Sequence, residues 1–66
     1  MEIFVNSEPR QAAEGTTVAE LLEQLGLQRK VVAVEVNLQV VPRPRHAESV
    51  LSAGDRVEIV TLVGGG

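Results

Sequence analysis

Residues 17–26 limit the possible folds more than any other stretch, because they carry a full set of helix signals and are too short to stand alone. Thr17 fits an N-cap, and Glu20 follows three residues later. That is the T-x-x-E capping box, in which each side chain satisfies an otherwise free backbone N–H. Val18, Leu21, Leu22 and Leu25 recur at helical spacing and form one apolar face. Gly26 is the expected stop, since glycine readily takes the left-handed conformation just past a helix end. A helix of about two turns does not persist by itself in water. Its apolar face must lie on something else that this chain builds.

The rest of the chain follows a strand rhythm. Residues 2–6 alternate, with Ile3 and Val5 on one side and Glu2, Phe4 and Asn6 on the other. Residues 6–9 have turn chemistry, and a short second strand is expected over 10–13. After the helix, residues 31–36 alternate, with Val32, Val34 and Val36 opposite Val31, Ala33 and Glu35. Asn37-Leu38 reads as a turn into a short strand over 39–41, and Pro42 and Pro44 end regular pairing. Residues 43–50 read as a loop with room for one helical turn. Ala53-Gly54-Asp55 is a tight turn, and 56–62 is the last strand, with Val57 and Ile59 facing inward.

The order is β-β-α-β-β-β, an α+β arrangement with one helix across one face of a mixed sheet of four to five strands. This is the order of the β-grasp, or ubiquitin-like, fold, whose first and last strands lie side by side in the sheet. A single domain over 1–66 is expected, with residues 63–66 as a flexible tail. The expected inward residues are Ile3, Val5, Val18, Leu21, Leu22, Leu25, Val32, Val34, Val36, Val57 and Ile59.

Composition removes several classes of function. There is no cysteine, hence no disulfide, no thiolate zinc site and no thiol nucleophile, and a single histidine builds neither a triad nor a metal site by itself. Phe4 is the only aromatic residue, which makes the chain a poor platform for stacking bases. The net charge of −3 argues against nucleic acid and anionic membranes as partners. No apolar run reaches membrane-spanning length, and Met1-Glu2-Ile3 lacks the basic start of a signal peptide, so a cytoplasmic protein is expected.

Two features point to function. The last strand runs directly into Gly64-Gly65-Gly66. A glycine tail packs nothing and is costly to order, yet it makes a thin arm able to enter a narrow active site. On the sheet face away from the helix, the alternation leaves Phe4, Val60 and Leu62, with Ala33 expected close by. An apolar patch beside the tail suits partner docking.

The strand order, the Asn37…Val41-Pro42-Arg43 segment, the Ala53-Gly54-Asp55 turn and the ending Val63-Gly64-Gly65-Gly66 together resemble the sulfur-carrier proteins of thiamin biosynthesis, the ThiS family. The resemblance covers the whole chain. It implies a carrier rather than an enzyme, with no cofactor bound by this chain. An adenylating enzyme related to ubiquitin-activating enzymes (ThiF type) would use ATP to activate the Gly66 carboxylate. Sulfur drawn from a cysteine desulfurase would convert it to a thiocarboxylate. Thiazole synthase (ThiG type) would then take the sulfur. In that scheme Gly66 reacts, Gly65 is its slim neighbour, and Gly64 is an extra glycine.

Other residues carry less. Arg43, Arg45 and His46 read as a solvated loop, with contact to an acidic partner as the functional option. Glu20 and Glu23 read as capping and solvated face. Glu14-Gly15 and Gly54-Asp55 are turns without the glycine spacing of a phosphate loop. Three alternatives share the fold: the small subunit of molybdopterin synthase, a protein modifier or tRNA-thiolation sulfur carrier, and an interaction module with an idle tail.

Overall fold

The computed structural model describes residues 1–62. Its elements are β1 (Glu2–Val5), β2 (Glu8–Gln11), α1 (Val18–Gln24), β3 (Val32–Val36), β4 (Gln39–Val40), a 3-10 turn (Arg43–Arg45) and β5 (Arg56–Thr61). They form one five-stranded sheet in the order β2-β1-β5-β3-β4. β5 is the middle strand, parallel to β1 and antiparallel to β3. The expected β-grasp order is present.

The helix forms as its sequence dictates. The Thr17 Oγ1 accepts from the Glu20 N–H at 3.1 Å, and the Thr17 N–H donates to Glu20 Oε1 at 2.9 Å. Leu25 is the C-cap and Gly26 follows at φ 73. Val18 and Leu21 are fully buried and Leu22 nearly so, packed with Ile3, Val34, Val57 and Ile59 of the sheet. Burying each such side chain is worth roughly 1.5–3 kcal/mol before entropy. Val5, Leu25, Val32 and Val36, expected inward, are half-buried at the margin of this core.

Both hairpins turn on an asparagine. Asn6 and Ser7 take φ 49 and 72, and Asn37 and Leu38 take φ 52 and 70. Two successive left-handed residues make the turn type whose twist matches antiparallel strands. The first turn is therefore Asn6-Ser7 alone, and β1 ends at Val5 instead of residue 6. β2 starts at Glu8 rather than at residue 10 and contains Pro9. The proline fits because Pro9 lies opposite Phe4, whose own N–H turns the other way, to Asp55 O at 2.9 Å. At such a position neither residue directs its N–H at the other, so Pro9 forfeits no bond to β1.

Residues 46–51 differ most from the sequence reading. Ser49 O accepts from Val18 N–H at 2.9 Å, His46 O from Ala19 N–H at 3.0 Å, and Thr16 O from Leu51 N–H at 2.8 Å. This segment thereby occupies the open N–H groups at the start of α1. It brings Leu51 and His46 into the interior at 3% and 8% exposure. His46 is thus not part of a solvated loop. Its Nε2 lies 2.9 Å from Val41 O, and since a carbonyl only accepts, Nε2 carries the proton. Arg43 and Arg45 do lie at the surface, Arg45 paired with Glu48 at 2.8 Å.

Candidate functional site

The far end of β5 is where the expected docking residues and the approach to the tail meet. Val57 and Ile59 point into the core, so Glu58 and Val60 point out. Val60 stands opposite Ala33, and Leu62 N–H donates to Val31 O at 2.9 Å. Val60, Leu62 and Val31 are 58%, 50% and 51% exposed, and Ala33 is exposed beside them. These four make an apolar patch with no helix over it. Val60 and Leu62 are where the alternation put them, and Val31 is an addition. Its cross-strand place beside Leu62 follows from the β3–β5 register, which the sequence does not state.

Phe4 is not part of that patch. In the parallel β1–β5 pair Phe4 lies opposite Arg56, and Val60 is four positions further along β5. At ~3.3 Å per residue that separation is about 13 Å. Phe4 is half-buried, with the Arg56 guanidinium carbon 5.3 Å from its ring centroid. Its burial and its cation neighbour give it a structural place at the start of β5. Between the two groups Glu58 faces Glu35 directly across the β3–β5 pair. Like charges so placed are mildly destabilising.

The inner side of the same strand end borders a cleft of about 430 Å³, lined among others by Val5, Asn6, Arg10, Leu25, Ile59 and Thr61. Arg10 stands opposite Ile3 and so shares its inward face, and its Nε is buried without a partner among the described residues. Sequence reading missed this cleft, since it depends on where β1 stops relative to β5.

Gly64, Gly65 and Gly66, the expected reacting end, lie outside the described residues. Among the described residues no group of three potential ligands is placed to hold a metal ion, and no helix is long and apolar enough to cross a membrane.

With this geometry in place, the comparisons with known proteins are specific. The family model described as "ThiS family" matches residues 3–66. The chain is 38% identical over 66 residues to the Escherichia coli protein named sulfur carrier protein ThiS, covering all of both chains. It is 41% identical over 66 residues to a thiazole synthase of Paramagnetospirillum magneticum, spanning all of this chain but only 20% of that protein. The crystal structure of the thiamine biosynthesis protein ThiS from Geobacter metallireducens superposes with a TM-score of 0.84 at 36% identity, covering 100% of both chains.

Proposed function

This chain belongs to the ThiS family, and we propose that it is a sulfur carrier of thiazole formation in thiamin biosynthesis, acting through the carboxylate of Gly66. The observation that carries this reading is the end-to-end match to a protein named as a sulfur carrier. The middle strand of the sheet, which leads toward the glycine tail, adds support. Residues 1–62 act as one folded body, and residues 63–66 are the arm that enters partner sites.

A carboxylate resists nucleophiles until it gains a good leaving group. The Gly66 carboxylate attacks the α-phosphate of ATP on an adenylating enzyme, giving the acyl-adenylate and pyrophosphate. A persulfide, supplied through a cysteine desulfurase, displaces AMP and forms an acyl disulfide. Reductive cleavage by a thiol then leaves the thiocarboxylate. Thiazole synthase takes up that sulfur, and the carrier returns as the carboxylate. ATP belongs to the partner's site; this chain supplies no catalytic group, and its partners position the reacting atoms. Gly64, Gly65 and Gly66 have no Cβ to bar close approach. Val60 and Leu62 with Val31 form the docking surface.

Thiazole synthase as a partner fits the naming of longer relatives that contain a region similar to this chain. The thiamin names favour the thiazole reading over molybdopterin synthesis. A cytoplasmic setting, where ATP is available, goes with the proposal.

The test is mass spectrometry of the protein after incubation with ATP, an adenylating enzyme of this type and a sulfur donor. Oxidation of Met1 adds nearly the same mass as exchanging oxygen for sulfur, so the tail peptide must be fragmented. The expected result is sulfur on Gly66, formed only with ATP. An unmodified tail on folded protein, with enzymes proven active, would overturn the proposal.

A further inference from the structure

β1 stops at Val5, while β5 runs on to Thr61. Alternate residues of a strand direct their backbone groups to opposite neighbours. Leu62 N–H goes to Val31 O beside β3, whereas Val57 O accepts from Asn6 N–H at 2.9 Å on the β1 side. Ile59 and Thr61 share the alternation of Val57 and so face the β1 side, where β1 has no strand left to offer.

The Asn6 side chain fills the next position. Its Nδ2 donates to Ile59 O at 3.1 Å, and its Oδ1 accepts from Ile59 N–H at 2.7 Å. One carboxamide thus reproduces the pair of bonds that a further strand residue would make. Asparagine suits both demands of the site. It tolerates the left-handed φ of 49 required by the turn, and it carries a donor and an acceptor on one short arm.

Asn37 provides an internal comparison. It holds the same turn position at φ 52, and its carboxamide also binds the β5 region, through Asp55 Oδ1 and Arg56 N–H, both at 3.0 Å. There, however, Arg56 is paired with Phe4 of β1, and its carbonyl already accepts from the Asn37 backbone N–H at 2.8 Å. The Asn37 side chain reinforces a strand end that backbone bonds already hold. Asn6 supplies the sole hydrogen bonds to Ile59 from the β1 side among the described residues.

We propose that Asn6 is a positioning residue for the carrier reaction: its carboxamide fixes the Ile59 backbone and so sets how Val60 and Leu62 are held at the end of the sheet. Without it the Ile59 groups open to the cleft, and the last residues of β5 pivot on the β3 ladder alone. A smaller share of molecules then presents the patch in the geometry that a partner accepts. Apparent affinity falls by that share, while the step after docking, positioned by the partner, is unaffected. The kinetic part rests on the sulfur-carrier reading; the backbone part does not.

The test compares Asn6→Gly with Asn37→Gly. Glycine keeps the left-handed turn in both and removes only the carboxamide. In amide-exchange NMR on the isolated protein, Asn6→Gly should speed exchange at Ile59 and Leu62 by about tenfold more than at Val34, as local opening predicts. Asn37→Gly should show no such excess. With ATP and an adenylating enzyme, Asn6→Gly should raise KM about threefold or more and leave kcat within about twofold, and Asn37→Gly should shift neither beyond about twofold. If Asn6→Gly does not fold, Asn6→Asp takes its place: it loses the donor to Ile59 O but keeps an acceptor for Ile59 N–H, so the exchange excess is then expected at Leu62 and not at Ile59, with the same rise in KM. Equal exchange in the Asn6 and Asn37 variants, no excess at Ile59 in Asn6→Gly or at Leu62 in Asn6→Asp, or a fall in kcat at constant KM would overturn the assignment. A wild-type protein that is never adenylated would overturn the carrier reading alone, and the exchange data would still decide the role of Asn6.

Discussion

The two ends of β5 are built on opposite terms. At its start, Arg56 pairs with β1 and Val57 with both β1 and β3, Asn37 binds the backbone, and Phe4 rests under the Arg56 side chain. At its finish, Val60 and Leu62 are exposed, β1 has ended, and Asn6 makes the last hydrogen bonds on that side among the described residues. One strand therefore anchors the fold at one end and presents a surface at the other. In a domain this small, stability cannot be spread evenly, and the exposed apolar groups fall at the less supported end.

The largest blow to this contrast is a change that removes the frame common to both ends. Leu21→Ala empties a fully buried position of α1 and should cost about 2–5 kcal/mol. Domains of this size rarely hold more than ~3–5 kcal/mol in total. Urea titration followed by circular dichroism should find the variant largely unfolded near 25 °C.

Leu62→Asp sharpens the contrast from the open end. It should leave the urea midpoint almost unchanged, within about 0.5 kcal/mol, as for an ordinary surface change. Titration calorimetry against the adenylating enzyme should show binding weaker by about tenfold, the effect of a patch residue that contributes more than 1 kcal/mol. Phe4→Asp is the mirror case. It removes a half-buried ring and its cation contact, and should lower stability by about 1 kcal/mol with little change in binding once the protein is folded. The reverse pattern for the pair would restore Phe4 to the docking surface.

The smallest effect concerns the ground between the two ends. Glu58→Gln relieves the direct opposition to Glu35 and should raise stability by roughly 0.2–1 kcal/mol at low salt. The gain should shrink as salt is added. A loss of stability instead would show that Glu58 has a favourable partner in solution.

Signals confined to a few neighbouring residues were legible in the sequence. The Thr17–Glu20 cap, the Gly26 stop, the inward Val57 and Ile59 and the outward Val60 and Leu62 each follow from local chemistry and alternation. Alternation tells which face a residue takes, but not its height along a neighbouring strand. Phe4 and Val60 share a face, yet the parallel register sets them apart. Pro9 reads as part of a turn until the pairing shows that it sits in β2 where no N–H is directed at β1. The burial of His46 depends on backbone carbonyls that dock on the start of α1, and carbonyls leave no mark in the side-chain pattern. Asn6 reads as turn chemistry, which it is, while its second role needs the position of Ile59.

The outermost strands bear on how this protein behaves when crowded. β2 carries Pro9 and an inward-turned arginine, and β4 extends only over Gln39–Val40. Both are poor templates for another strand, through which sheets otherwise stack into filaments. A molecule that must keep an apolar patch uncovered cannot also leave long sticky margins. The shortness of one margin and the proline in the other confine the risk of self-association to the end of the sheet that carries the exposed patch.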